Sequence, residues 1–434
     1  MRYRLGMSGL LLLGGFCACG QVAHEPASDG AAGADAGGAL AVAAGTAGFA
    51  VAGNNEGSGI GGAGTAGVAG SAAGEPGVGG AGEAGGGAGE GGSAEPEEPH
   101  PYRALHLALG GLHSCALLED HQVKCWGQNF YGQLGLGDIV DHGITGMGNA
   151  LPVVDLGRGH SAKAIAAGRY ATCAILDDDS AKCWGQAIMA NFADTTQAHF
   201  ALGDEPNEMG DALAPVRLGA GHYATHVAVG YSLACVGLED DNFVCGDTDF
   251  KFGPAPRAPG VSLLSLVGSS SVAGLYSDHS LRWLNGDPTK PPALSQSDVV
   301  LVGAADSCVA TWSVDHTLNL DRSTIHETYA VPQITSLAAS QNGQACAITG
   351  DHQVHCWGAV PVQSRQLEPD HSLVIPLPGE PVELAGNSYE HLCALLADGT
   401  VWCWDWQSDS APAALGGRWY APKQADLGIW KPPN

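Results

Sequence analysis

Five cysteine pairs of identical spacing recur along this chain of 434 residues. In each pair the second cysteine follows ten positions after the first, and an aspartate stands midway between them. The pairs are Cys115 and Cys125, Cys173 and Cys183, Cys235 and Cys245, Cys346 and Cys356, and Cys393 and Cys403. Such a period predicts one supersecondary unit repeated many times, so the repeat determines the architecture.

Each cysteine pair has the pattern of a β-hairpin, because alternating apolar positions flank a polar break. In the first unit, pairing Leu118 with Gln122 leaves a three-residue loop, and such loops need one residue in the left-handed conformation. Glycine occupies that slot in the last unit, whereas histidine or aspartate occupies it in the others: His121, Asp179, Asp241, His279, His316 and His352. Opposed residues of an antiparallel pair lie close enough for a disulfide, so we expect each pair to be bridged within its own hairpin.

Two further units lack the cysteines but keep the turn aspartate, at Asp278 and Asp315. Alignment on these turns places Ala273 with Trp283, and Ala310 with Leu320, in the cysteine slots. Seven units then share about 334 residues, roughly 48 each, which matches a four-stranded propeller blade. We therefore predict an all-β fold, a seven-bladed β-propeller of four-stranded blades over residues 101–434.

The first unit also carries a recognisable motif. It reads Gly-Gly-Leu-His-Ser over 110–114, Cys-Ala-Leu over 115–117, and Trp-Gly-Gln-Asn-Phe-Tyr-Gly-Gln-Leu-Gly-Leu-Gly-Asp over 126–138. This resembles the regulator of chromosome condensation repeat, and the resemblance implies a seven-bladed β-propeller. Hairpin cysteine pairs are outside the general pattern of that family and suit a secreted branch. The segment Pro422–Gly428 is similar to those that precede a blade, so we expect it to close the ring on the blade that begins at Tyr102–Leu109.

The N-terminal region predicts export. Residues 1–19 combine Arg2 and Arg4 with an apolar run and small residues, which is typical of a secretory signal. Their ending resembles the lipobox of bacterial lipoproteins, which implies lipidation of Cys19; ordinary secretion with cleavage nearby is the alternative. Residues 20–100 are rich in Gly and Ala and predict a disordered tether. Thirteen cysteines behind a signal indicate an oxidising compartment. We therefore expect secretion across the inner membrane, with placement as an outer-membrane or cell-surface lipoprotein attached by its lipid anchor only.

Charge and motifs exclude several function classes. The chain has 45 acidic and 18 basic side chains, a formal net charge of −27, and no basic stripe, so nucleic acid is a poor partner. It contains no nucleophile elbow, phosphate loop or paired-carboxylate motif, so we expect no enzyme activity. The cysteine spacing fits no common zinc module, and we expect no metal and no cofactor. Cys308 is left over; we expect a buried thiol, with an intermolecular or redox role as the alternative.

The loops before each hairpin are the candidate binding face, because such loops gather around one mouth of a propeller. Tyr and Arg among them are residues that anchor protein interfaces. The candidate residues are His113, Arg169, Tyr170, Tyr231, Asp306, Tyr389, Glu390 and His391. An insertion near Ala187–Phe200 adds loop length on the same scaffold.

The functional prediction is a non-catalytic, envelope-tethered or secreted binding scaffold. It is expected to act as a monomer and to recognise an extracellular or periplasmic protein or glycan. The resemblance implies two alternatives: a secreted propeller that inhibits β-lactamases through aromatic residues at its mouth, or a guanine-nucleotide-exchange-like regulator.

Overall fold

A computed structural model of the chain describes residues 49–50, 98–143, 146–186, 201–231, 233–247, 260–268, 271–284, 293–305, 308–322, 325–340, 343–358, 372–386, 391–407, 418–419 and 422–430. The predicted signal segment, nearly all of the predicted tether and the insertion at 187–200 lie outside these residues. The described chain is almost entirely β-structure, with two short 3-10 turns at Gly148–Ala150 and Gly210–Ala212. None of its helices has the length and apolar character needed to cross a membrane.

The strands form a seven-bladed β-propeller with a four-stranded blade plan, as predicted. The first strands of the blades are Ala104–Leu109, Ala162–Ala167, Ala224–Val229, Leu263–Gly268, Val299–Ala305, Ile334–Ser340 and Pro381–Gly386. The second strands are His113–Leu118, Ala171–Leu176, Leu233–Leu238, Val272–Tyr276, Cys308–Ser313, Gln344–Thr349 and His391–Leu396. The third strands are Val123–Gly127, Ala181–Gln186, Phe243–Asp247, Leu281–Leu284, Thr317–Arg322, Val354–Gly358 and Val401–Gln407.

The outer edges of the blades are more varied. Fourth strands are present in blades 2, 4, 5, 6 and 7, at Ala201–Leu202, Ala293–Gln296, Ile325–Ala330, Leu373–Ile375 and Lys423–Ala425. In blade 1 a single bridge between Lys124 and Val153 takes this place. Arg418–Trp419 pair with the end of the third strand of blade 7. Phe49–Ala50, inside the predicted tether, pair with the first strand of blade 3 and depart from the expectation of disorder there.

The hydrophobic core lies between the blades. The first strands of neighbouring blades lie against one another, so the small residues that fill them are buried. The bridged cysteines of blade 1 belong to the same buried cluster as Ile165 and Trp184 of blade 2. Leu107 and Leu118 on the other face of blade 1 cluster with Leu395 of blade 7. Both faces of the sheet therefore pack on neighbouring blades, which explains why these strands read as nearly continuous apolar runs.

The structure confirms all five predicted disulfides. Each joins directly opposed residues of the second and third strands, with Cα atoms 4.0–4.1 Å apart. The two units without cysteines keep the same register, with Ala273 opposite Trp283 and Ala310 opposite Leu320. Cys308 forms no disulfide and is buried.

In several blades the turn between the second and third strands also fastens the blade to the next one. His121 has a φ of 61°, as the three-residue loop requires, and its main-chain oxygen accepts a hydrogen bond from Ala162 N in blade 2. The His121 Nδ1 atom in turn lies 3.1 Å from Ala162 O. His279 makes the same two contacts with Val299. This second bond offsets the conformational cost of a histidine in the left-handed region.

The ends of the ring meet at the junction of blades 7 and 1. Lys423–Ala425 pair with Val401–Cys403, so this segment is the fourth strand of blade 7 and does not pair with Tyr102–Leu109 as expected. The chain then continues against blade 1, where Gly428 O accepts a bond from Tyr102 N and His100–Pro101 pair with Ile429–Trp430. This segment follows the third strand of blade 7 in the chain, so it can complete that sheet without passing to blade 1, which explains the difference.

Candidate functional site

The connections between the strands are sorted onto two faces of the ring. Because successive strands are antiparallel, the connections from first to second and from third to fourth strands lie on one face, here called the mouth face. The turns that carry the midway aspartates lie on the opposite face. Arg169, Tyr170 and Tyr231 belong to first-to-second connections, so all three lie on the mouth face.

Five side chains from blades 1, 2 and 3 form a continuous row on this face, here called the aromatic ridge. It consists of Phe130, Tyr131, Tyr170, Arg169 and Tyr231. The ring centroids of Phe130 and Tyr131 are 5.4 Å apart, and those of Tyr131 and Tyr170 are 5.0 Å apart. The guanidinium carbon of Arg169 lies 5.2 Å from the Tyr170 ring and 4.5 Å from the Tyr231 ring. Both distances are within the range of cation–π attraction.

The ridge is packed in its middle and open at its ends. Phe130 is 73% exposed and Tyr231 is 43% exposed, whereas Tyr131, Tyr170 and Arg169 are half-buried. An exposed aromatic ring presents apolar surface to water, and a partner can bury that surface. This combination of Tyr, Phe and Arg is enriched in the energetic centres of protein interfaces.

The third-to-fourth connection of blade 1 positions Phe130 and Tyr131 by a network of buried amides. Asn129 is fully buried, and its Nδ2 atom donates to the main-chain and side-chain oxygens of Asp138 at 2.7 and 2.8 Å. Gln133 Oε1 accepts a bond from Tyr131 N. Gln133 O accepts bonds from Thr172 Oγ1 and Trp184 Nε1 of blade 2. The connection is therefore fixed to the next blade, and the ridge crosses that junction on a rigid base.

An acidic segment flanks the ridge on the outer side. Gly203–Glu205 run beside the connection of blade 1, where Gly137 N donates to Gly203 O. The Glu208 carboxylate is occupied, because its Oε2 atom accepts the N–H groups of residues 203, 204 and 205. Glu205 is exposed, and Asp204 lies next to it. The flank thus places negative charge beside the connection of blade 1 that carries Phe130 and Tyr131.

The structure corrects the prediction for His113, which does not face a partner. This side chain is 2% exposed, and its Nε2 atom lies 2.9 Å from Thr172 Oγ1. It begins the second strand of blade 1 on the face that packs against blade 2, and a side chain at Gly110 would collide with its ring. Desolvation lowers the pKa of His113 to about 3, so the ring is neutral. His113 is a buried polar tie between blades.

The other predicted site residues divide into two groups. Asp306, Tyr389 and Glu390 lie outside the described residues. His391 is half-buried, and its Nε2 atom lies 3.3 Å from Cys393 Sγ, so it contacts a disulfide. Sequence reasoning missed Phe130 and Tyr131, although the motif that contains them was identified; only the blade-to-blade contact with Tyr170 marks them as part of the site.

Among the described residues, two groups have metal-ligating side chains close together. In one, His391 joins Cys393 and Cys403, whose sulfur atoms are bonded to each other. In the other, His160 Nδ1 lies 3.1 Å from Asp177 Oδ1, and this hydrogen bond is the main cause that lowers the pKa of Asp177. His222 and Glu239 form the same pair in blade 3. The second group is therefore a repeated turn contact, and neither group argues for a metal.

Comparison with known proteins agrees with this architecture. A family model described as "Regulator of chromosome condensation (RCC1) repeat" matches residues 105–133, and another with that description matches residues 120–175. The chain is 31% identical over 126 residues to the Ultraviolet-B receptor UVR8 of Arabidopsis thaliana, covering 28% of this chain and 24% of that protein. It is 31% identical over 100 residues to Protein RCC1 of Candida albicans, covering 22% and 21%. The chain thus spans about a quarter or less of the length of these relatives.

Among solved structures, human WBSCR16 is similar in fold alone. It superposes with a TM-score of 0.50 at 12% sequence identity, over 65% of this chain and 84% of that chain. The matched repeats lie in blades 1 and 2, and the remaining blades repeat the same hairpin register. Residues 105–175 therefore match regulator of chromosome condensation repeats, and the chain is folded as a seven-bladed β-propeller.

Proposed function

We propose that this protein is a non-catalytic binding scaffold whose aromatic ridge recognises an extracellular or periplasmic protein. The observation that carries the proposal is the row from Phe130 to Tyr231, whose two ends are exposed. A partner that covers the ridge would bury aromatic area and complete the stacking around Arg169.

The environment of the ridge favours a protein over a glycan. The acidic flank adds charge that can steer a basic partner surface, and a formal net charge of −27 acts in the same direction. Five disulfides fit an extracellular or secreted protein. In this proposal the Gly/Ala-rich region and a lipid on Cys19 hold the propeller at the envelope surface.

Site-specific photo-crosslinking tests the proposal in intact cells. A photoreactive phenylalanine analogue replaces Phe130 in one protein and His352 in a control, because His352 is exposed on the opposite face. We expect a discrete protein adduct from position 130 that is absent from position 352. The adduct should also disappear when Tyr231→Ala is added to the protein with the analogue at 130.

Three outcomes would contradict the proposal. Equal adducts from both positions would show that the contact is nonspecific, and an adduct insensitive to Tyr231→Ala would show that the ridge does not act as a unit. An adduct with a glycan in place of a protein would change the class of partner. Phe130 and Tyr231 are exposed, so their variants should fold normally, and a thermal melt checks this.

A further inference from the structure

The five disulfides share one register, yet one of them differs in burial. Nine of the ten bonded cysteines are at most 3% exposed. The tenth is Cys403 in blade 7, which is half-buried, whereas its partner Cys393 is fully buried. The bridge of blade 7 therefore joins one partly exposed cysteine to one buried cysteine.

The same bridge differs in its neighbour. His391 stands two positions before Cys393 on the same face of the strand, and its Nε2 atom is 3.3 Å from Cys393 Sγ. The residues at this position in the other four units are His113, Ala171, Leu233 and Gln344. Of these only His113 has an imidazole, and its Nε2 atom is bonded to Thr172 Oγ1. The blade 7 bridge thus combines an accessible cysteine with an imidazole at the buried sulfur.

We propose that the Cys393–Cys403 bridge is a site of thiol–disulfide exchange with an external thiolate. The thiolate attacks Cys403 Sγ, the bond between the two sulfurs breaks, and Cys393 leaves as a thiolate. An N–H at His391 Nε2 donates to that departing sulfur and stabilises its charge. A second thiolate then attacks the external sulfur of the mixed disulfide and releases Cys403. Two thiols are oxidised to a disulfide, and the bridge is reduced by two electrons.

The position of this bridge connects the exchange to closure of the ring. Cys403 pairs with Lys423, and Lys423 belongs to the C-terminal strand that completes blade 7. The turn of the same hairpin holds Gly399, whose main-chain oxygen accepts a bond from Ala104 N of blade 1. Reduction removes the covalent link inside the hairpin that holds both contacts. The reduced protein should therefore open first at the junction between the ends of the chain.

Timed reduction of the full-length protein by glutathione, followed by alkylation and peptide mapping, tests this proposal. Attack by the glutathione thiolate needs an accessible sulfur and a stabilised leaving thiolate. We therefore expect the Cys393–Cys403 bridge to be reduced about tenfold or more faster than the other four bridges. His391→Gln should slow 393–403 several-fold and leave the other four unchanged. His113→Gln is the matched control, and it should not change the order of reduction. The rates of the four other bridges in the same molecule serve as the internal reference.

The order of reduction in the wild-type protein decides the proposal without any variant. Simultaneous loss of all five bridges would mean that unfolding exposes them together, and slower loss of 393–403 than of any other bridge would overturn the proposed accessibility. An unchanged 393–403 rate in a folded His391→Gln protein would overturn the role of the imidazole. Circular dichroism of each protein before reduction establishes that it is folded.

Discussion

The buried histidine of blade 1 makes the stability of this protein depend on pH in a way that one substitution can isolate. Desolvation places the pKa of His113 at about 3 in the folded state. An unfolded chain has the ordinary value of about 6.5, so as the pH falls the unfolded state takes up the proton first. The neutral ring therefore contributes its full stability above about pH 6.5 and loses it progressively toward pH 3.

The size of this effect follows from the two pKa values. At pH 5.0 the preferential protonation of the unfolded chain costs about 2 kcal/mol, and at pH 7.5 it costs about 0.1 kcal/mol or less. His113→Gln removes the titrating group and keeps hydrogen-bonding ability toward Thr172. Glutamine is a suitable replacement because Gln344 occupies the same position in blade 6. The free energy of unfolding of the variant minus that of wild type should therefore rise by about 2 kcal/mol when the pH falls from 7.5 to 5.0.

Urea unfolding of both proteins at the two pH values measures this difference. The other histidines are common to both proteins, so their contributions cancel in the comparison. The reasoning would be refuted by a wild-type to variant difference that is the same at pH 7.5 and at pH 5.0. A variant that becomes relatively less stable as the pH falls would refute the direction as well.

Two further predictions concern stability. Lys182 is buried, and its Nζ atom donates to two main-chain oxygens at 2.9 and 2.8 Å. Lys182→Met should therefore lower the free energy of unfolding by roughly 1–3 kcal/mol. The control Lys163→Met should lower it by less than about 1 kcal/mol, because the Lys163 ion pair is partly exposed. Urea midpoints of the two variants compare them, and equal losses would contradict the role of the buried bonds. Replacing both Ala310 and Leu320 by cysteine should create a sixth bridge, because these residues are opposed in the register of the other five. The oxidised form of that variant should be more stable than its reduced form by about 2 kcal/mol or less, and a persistent pair of thiols would contradict the register.

The hairpin register could be predicted from sequence because it depends on local contacts. A midway aspartate, a three-residue loop and alternating apolar positions determine which residues are opposed, even where cysteines are missing, as at Ala273 and Trp283. The same pattern located the left-handed residue of each turn, His121 among them. The bond from that residue to the next blade could not be predicted, because the period does not say which atoms a neighbouring unit presents.

The candidate site was predictable only in part, for the same reason. Loop position indicated Arg169, Tyr170 and Tyr231, and the structure brings these three together. Tyr131 reaches Tyr170 from another blade, and that contact follows from docking of the blades. His113 was misassigned because a histidine in a loop motif resembles a surface residue, while Thr172 lies opposite it between two packed sheets.

We propose that the aromatic ridge is the recognition surface of this protein. Titration calorimetry with the partner identified by crosslinking tests it most directly, using wild type, a Phe130→Ala and Tyr231→Ala double variant, and His352→Ala as the opposite-face control. Two interface anchors of about 2 kcal/mol each predict that the double variant binds at least about a hundredfold more weakly, with the control unchanged. Affinity of the double variant within about twofold of wild type would contradict the claim.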